Sequence, residues 1–223
     1  MLEIDIVNSI NNYLVQKGVR YSNESRMGIG IPDVSLNIGA NNRLTPINDY
    51  FMLSVLNYIN KNQIVSFMEI QEEVLLSFDK IKKYVIALEE LNLVKIKQDS
   101  VQIIKDVFLS KLGTTFSIEV KVKDWKTAIL QAQRYLCFSD YSYIAMPDKY
   151  IKNVCIDIFE DSGIGILSVS DDKINEVLTA KKSKTCELFL KYIITSKIVQ
   201  NQNVIEKKHL RKNIFTSYID HET

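Results

Sequence analysis

The sequence predicts an α/β protein interrupted by a mainly helical insertion, and three observations lead there. Strand-like and helix-like stretches alternate between residues 109 and 180. A strictly alternating segment, Asp33-Val34-Ser35-Leu36-Asn37-Ile38, stands upstream and ends in a Gly/Asn turn cluster, as a half-buried strand does. Between the two, from Pro46 to about Asp106, the apolar period becomes helical. The core is therefore assigned to 1–44 and 109–180, the insertion to 45–108, and 181–223 to a basic, largely helical C-terminal extension.

In chain order, residues 2–16 place Ile6, Val7, Ile10, Tyr13 and Leu14 at helical spacing, with Gly18 as the stop. The insertion reads as a helix over NDYFMLSVLNYIN, a short one over FMEIQEEV, and a third over FDKIKKYVIALEELN. Ser77 is the N-cap of the third, and Ile81, Tyr84, Val85, Leu88 and Leu91 form its apolar stripe. LVKIK and VQIIK then flank Gln98-Asp99-Ser100 as a hairpin. This order resembles a winged helix-turn-helix, which implies a recognition helix carrying Lys80, Lys82 and Lys83 toward nucleic acid. Asp79, Glu89 and Glu90 offset those lysines, and such modules also serve protein–protein contacts. Past the insertion come a strand at FSIEVKV, a helix over Asp124–Phe138 with Asp124 as N-cap, a strand at YSYIAMP, a helix from Asp148 and a strand at GIGILSVS.

Composition removes several classes. With 46% hydrophobic and 25% charged residues the chain is an ordinary globular one. No apolar run nears the roughly 18 residues of a membrane span, and the N-terminus has no basic region typical of a signal peptide. A cytoplasmic protein without a membrane partner is expected, its Cys137, Cys155 and Cys186 reduced. His209 and His221 are the two histidines, which argues against Ser-His-Asp hydrolysis and His-built metal sites. Net charge is +1, although the segment from Lys181 is lysine-rich. Gly28 and Gly30 form no phosphate-cradling loop, because no helix follows them. The aromatics Trp125, Tyr135, Phe138, Tyr141 and Tyr143 read as packing residues.

In SIEVKVKDW, alternation puts Phe116, Ile118, Val120 and Val122 on one face and Ser117, Glu119, Lys121 and Lys123 on the other. A Glu and a Lys on a strand face are ordinarily an exposed ion pair. If this strand neighbours the Asp33 strand, however, two carboxylates and an ammonium converge. Such carboxylates suit Mg²⁺, and a lysine beside them suits a phosphoryl group or its attacking water.

IPDV followed across the insertion by IEVKV resembles the PD-(D/E)xK nuclease superfamily, with Pro32-Asp33 and Glu119-Val120-Lys121 as the two motif halves. The resemblance covers about residues 1–170. It implies a restriction-endonuclease-like αβββαβ core on a mixed sheet. It also implies metal-dependent hydrolysis of DNA with Mg²⁺ or Mn²⁺, in restriction, mobile-element defence or repair. Asp33 and Glu119 would hold metal and Lys121 would position water or phosphate. Gln131 and Tyr135 in QAQRY match a further motif of some branches, Gln131 aligning the reacting groups and Tyr135 facing the nucleic acid. Glu3 is an additional ligand candidate from the first helix. Lys123, with Arg26 and Lys126, is a candidate backbone contact, and a homodimer is expected if both strands are cut. Two rivals stand beside this reading: an inactive nuclease-like DNA-binding regulator acting through the winged helix, and a protein-interaction module.

Overall fold

The computed structural model describes residues 1–108, 110–170 and 173–201. The rest of the basic tail expected at 181–223, from 202 onward, lies outside the described residues. The chain is mixed α/β and divides into two compact units, Met1–Ala40 with the chain from Leu112 on, and Asn41–Lys111.

The first unit contains helix α1 (Glu3–Lys17) and strands β1 (Arg20–Asn23) and β2 (Val34–Ile38) before the chain leaves it. Glycine ends α1 as the sequence predicts: Gly18 takes φ 66° and its N–H returns to the helix carbonyls. The second unit contains α2 (Tyr50–Asn62), β3 (Ile64–Ser66), α3 (Phe67–Val74), α4 (Phe78–Glu90), β4 (Val94–Lys97) and β5 (Ser100–Ile103). Back in the first unit follow β6 (Thr114–Val120), α5 (Trp125–Tyr135), β7 (Tyr141–Pro147), the short helices α6 (Asp148–Ile151) and α7 (Ile156–Ser162), β8 (Gly165–Ser170), β9 (Lys173–Leu178) and α8 (Leu188–Gln200).

Six strands of the first unit form one mixed sheet in the order β1-β2-β6-β7-β8-β9. Its β1/β2, β2/β6 and β8/β9 pairs are antiparallel; β6/β7 and β7/β8 are parallel. One face buries Ile6, Ile10 and Leu14 of α1 against Val34, Leu36, Phe116, Ile118 and Val120. The other face has two characters. On β7 and β8 it is apolar, with Ile144, Met146 and Ile166 against Ala128, Ile129 and Ala132 of α5 and Phe159 of α7. On β2 and β6 it is polar yet buried: Ser35, Asn37, Thr115, Ser117 and Glu119 all lie inside. Thr115 meets Thr195 of α8 there, hydroxyl to hydroxyl at 3.2 Å, and Ser117 meets Ser139 at 2.6 Å.

Two expectations are corrected here. The strand at 33–38 is not half-buried: it begins at Val34, and Ser35 and Asn37 are buried on one face as Val34 and Leu36 are on the other. Glu119 and Lys121 are not the exposed ion pair ordinary for a strand face, since Ser117 and Glu119 are buried with Ser139 on the one and Tyr135 of α5 on the other, and the strand ends at Val120 before either lysine. The periodicity also passes over β1, β3 and β9, three strands at sheet edges with polar or very short sequences.

In the second unit α2, α3 and α4 accompany the antiparallel sheet β3-β5-β4. Local chemistry fixes the helix starts. Asp49 accepts from Met52 N–H at 3.0 Å, and Ser66 and Glu69 form a reciprocal capping box. Ser77 precedes α4 without a side-chain capping bond, and Ile81, Tyr84, Val85 and Leu88 are its buried residues.

The insertion leaves and re-enters the first unit between two paired strands, so the junction is tightly tied. Asn37 Nδ2 donates to the Leu112 carbonyl at 2.8 Å and to Thr115 Oγ1 at 2.9 Å, while its Oδ1 accepts from Ala40 N–H. Gly113 sits in this junction at φ +65°, and a Cβ there would stand 2.3 Å from the Ile38 carbonyl oxygen and 2.5 Å from Ala40 N. Only glycine fits both the dihedral and the space. Gly113→Ala is therefore expected to cost about 2–3 kcal/mol in a urea-denaturation measurement, combining left-handed strain with a backbone clash. An unchanged midpoint would contradict that account of the junction.

Candidate functional site

Strand pairing brings the two motif halves together. β2 and β6 are antiparallel neighbours with Val34 opposite Ile118 and Ser35 opposite Ser117. One step further along the same register, Asp33 lies opposite Glu119. Directly opposed residues have Cβ atoms about 4.5–5.5 Å apart. The pairing is extended by a side chain: Asp33 Oδ2 accepts the Val120 N–H at 2.6 Å.

Glu119 is 2% exposed, so its charge needs partners inside the protein. It has two. Lys121 Nζ stands 2.8 Å from Oε1, and the Tyr135 hydroxyl lies 2.5 Å from Oε2. Tyr135 also lies 3.1 Å from the Ile31 carbonyl, but its single proton favours the carboxylate, the stronger acceptor. Burial first, and then the neighbouring Glu119 and Asp33 charges, push the Tyr135 phenol well above its ordinary value, so it is a permanent donor. Lys121 also reaches the Val120 carbonyl at 3.1 Å and Glu3 Oε2 at 3.8 Å. Burial alone would lower its pKa; the Glu119, Glu3 and Asp33 carboxylates outweigh that and raise it.

Asp33 is held differently. Burial pushes its carboxyl up to about 6, opposed by the Val120 N–H and reinforced by the Glu119 charge. Two carboxylates, Glu119 and Glu3, thus face one ammonium, with Asp33 close enough for its charge to be felt, and with Asp33 ionised the negative charges outnumber the positive one. Gln131 stands one helical turn before Tyr135 on α5, and its Oε1 is buried without a hydrogen-bond partner among the described residues. An unpaired acceptor and uncompensated carboxylate charge fit a hydrated divalent cation, which takes one or two protein carboxylates and completes its shell with water and ligand oxygens. No group of three or more His, Cys, Asp or Glu side chains able to hold a metal occurs among the described residues.

The sequence-derived candidates thus divide. Asp33, Glu119, Lys121 and Tyr135 meet directly; Glu3, half-exposed at the start of α1, joins through Lys121; Gln131 lies one turn from Tyr135. Tyr135, expected to face nucleic acid, is instead 1% exposed, because its ring packs under the loop before Pro32 and its hydroxyl serves Glu119. Lys123 is exposed, its ammonium 5.2 Å from the Tyr150 ring. Lys80, Lys82 and Lys83 belong to α4 of the second unit; all are exposed, with Lys80 over the Phe51 ring at 4.9 Å. Sequence reasoning missed the backbone partners, Val120 N–H and the Ile31 carbonyl, and it missed Gly30. A Cβ on Gly30 would stand 2.7 Å from Tyr135 Cε1, so this glycine makes room for the ring. A glycine inside an extended stretch is the signal that marks such close approach.

The raised Asp33 pKa gives a signed prediction. A carboxyl of about 6 in the folded state and roughly 4 in the unfolded chain contributes stability that is full below the unfolded value. That contribution is lost as pH rises through the folded one. Asp33→Asn keeps an acceptor for Val120 N–H but cannot ionise. Its melting temperature is expected to match the parent near pH 4 and to exceed it increasingly toward pH 7; a pH-independent offset would contradict the assignment. The chain matches no protein-family model, no curated protein and no solved structure.

Proposed function

We propose that the chain is a metal-dependent nuclease, hydrolysing phosphodiester bonds of DNA with Mg²⁺ or Mn²⁺, and that its first unit is a PD-(D/E)xK core. One observation carries the reading: strands separated by an insertion pair in the register that sets Asp33 opposite Glu119, with Lys121 on Glu119. An exposed ion pair needs no such burial, and a structural one needs no second carboxylate whose ionisation burial opposes. The element order α1-β1-β2-β6-α5-β7 supports the same reading, since it is the αβββαβ order of that superfamily.

Roles follow from the contacts. Asp33 and Glu119 would hold the ion, with Glu3 within reach of the same cluster. When bound, such an ion polarises the scissile phosphoryl group and acidifies a coordinated water. Lys121 has three donor protons on a stem that emerges at the strand end, so it can serve a phosphate oxygen or the attacking water beside Glu119. Tyr135 fixes the Glu119 carboxylate from the opposite side. Gln131 contributes an acceptor for a water proton.

The second unit supports a winged-helix-like reading through its three helices and the β4–β5 hairpin, with β3 completing the sheet. The exposure of Lys82 and Lys83 on α4 favours a second reading, a DNA-binding protein acting through that unit.

The test is cleavage of plasmid and single-stranded DNA with Mn²⁺ by the parent chain beside Glu119→Ala and Lys121→Ala. Loss of at least about 100-fold in either variant is expected, the scale of removing a group that stabilises transition-state charge. Equal activity in all three would reveal a contaminating nuclease and overturn the proposal. An inactive parent whose DNA binding is abolished by Lys82→Ala with Lys83→Ala would establish the second reading instead.

A further inference from the structure

Between β1 and β2 the chain does not turn at once. Beyond the Asn23–Val34 pair the Glu24 N–H donates to the Asp33 carbonyl at 3.3 Å, and the Met27 N–H to the Gly30 carbonyl at 3.1 Å. Residues 24–33 therefore prolong the hairpin into a finger whose tip is Gly28 and Ile29. Gly28 takes φ +82° there, with open space where a Cβ would be. The finger is seated on the candidate site: the Ile31 carbonyl lies 3.1 Å from the Tyr135 hydroxyl, and Gly30 lies on the Tyr135 ring. The Lys197 ammonium of α8 donates to the Arg26 carbonyl and holds the other side.

What the finger shows to solvent is unusual for a hairpin turn. Ile29 is 43% exposed and Ile31 49%, and Arg26 is exposed as well. A Cβ on Gly30 would stand 3.9 Å from Arg134 Cβ, so α5 runs alongside. Leu130, four residues before Arg134 and on the same helix face, is 59% exposed and immediately precedes Gln131. Three large aliphatic side chains and the cations Arg26, Arg134 and Lys197 thus border a cluster rich in carboxylates; Glu24, at the finger's base, is the one acidic side chain from 24 to 32.

We propose that this finger, together with Leu130 and Arg134, is the surface that receives the nucleic-acid strand at the candidate site; the inference rests on the nuclease reading and adds a substrate form to it. Phosphates are the anions that guanidinium groups at a strand-binding surface recognise. Exposed base faces are the apolar surface of the same polymer, and isoleucine and leucine pack on such faces or wedge between them. Stacked base pairs in a duplex conceal those faces, so the surface fits a strand that is single or locally opened.

The experiment is anisotropy of a labelled single-stranded DNA oligonucleotide, and of its duplex, titrated with the full chain in EDTA at several salt concentrations. Ile29→Ser with Ile31→Ser is expected to weaken single-strand binding about tenfold and to leave the salt slope unchanged. Arg26→Ala with Arg134→Ala is expected to reduce that slope by about 1.4 on the single strand, roughly 0.7 for each lost phosphate contact. Leu130→Ser, on the helix instead of the finger, repeats the apolar test independently and is expected to weaken single-strand binding more than duplex binding. If the parent binds the strand and none of these variants differs from it, the finger is not the receiving surface, while the nuclease reading stands. Duplex binding that is tighter than single-strand binding and indifferent to the aliphatic variants overturns the substrate form. A parent chain that binds neither DNA at low salt overturns the nuclease reading and this inference together.

Discussion

The pairing of β2 with β6 is the constraint on which the candidate site depends. These strands are distant in sequence, and the second unit lies between them in the chain. Closing so long a loop costs entropy that grows only slowly with length, so an insertion is tolerated where both flanks are tied. Asn37 and Gly113 provide those ties on one end of the pair. At the other end the Asp33 carboxylate continues the ladder by taking the Val120 N–H. The same hydrogen bond that ends the sheet locally therefore sets the aspartate beside the glutamate.

The charges then divide into a settled part and an unsettled part. Glu119 is the more deeply buried carboxylate, and a lysine and a tyrosine satisfy it from two sides. Removing either donor would leave a buried charge short of partners, a costly change in a low-dielectric interior. Asp33 is less buried, yet its ionisation is opposed, and the Gln131 oxygen on the neighbouring helix has no partner among the described residues. A cluster built only for stability would have neutralised these groups. Under the proposed reading, a cation and its water would take up the groups left without a partner.

Much of this order was legible in the sequence, in proportion to how local its causes are. FMEIQEEV coincides with α3, YSYIAMP with β7, and Asp124 caps α5 through Thr127, because helix caps and unbroken apolar runs act within a few residues. The adjacency of Asp33 and Glu119 was an expectation only through the resemblance of IPDV and IEVKV to a nuclease motif, since pairing between distant strands leaves no local trace. What stayed hidden has a common reason. RYSN, IVS and KINEVL are edge strands stabilised by one neighbour, and their polarity or brevity suppresses the alternating signal. The burial of Glu119 and Ser117 is not legible locally, because alternation reports polarity and not coverage; Tyr135 and Ser139 arrive from later in the chain to meet them. Tyr135 was visible as part of a pattern, but its partner was not, since a side chain bonded inward looks the same in sequence as one facing a ligand.

The central claim is that Asp33 and Glu119 share one divalent ion. Isothermal titration of Mn²⁺ into the full chain near pH 7.5, beside Glu119→Gln, tests it most directly. The account predicts one ion bound per parent chain and loss of that binding in the variant. Binding that the substitution leaves untouched, or no binding to the parent with or without DNA present, would contradict it.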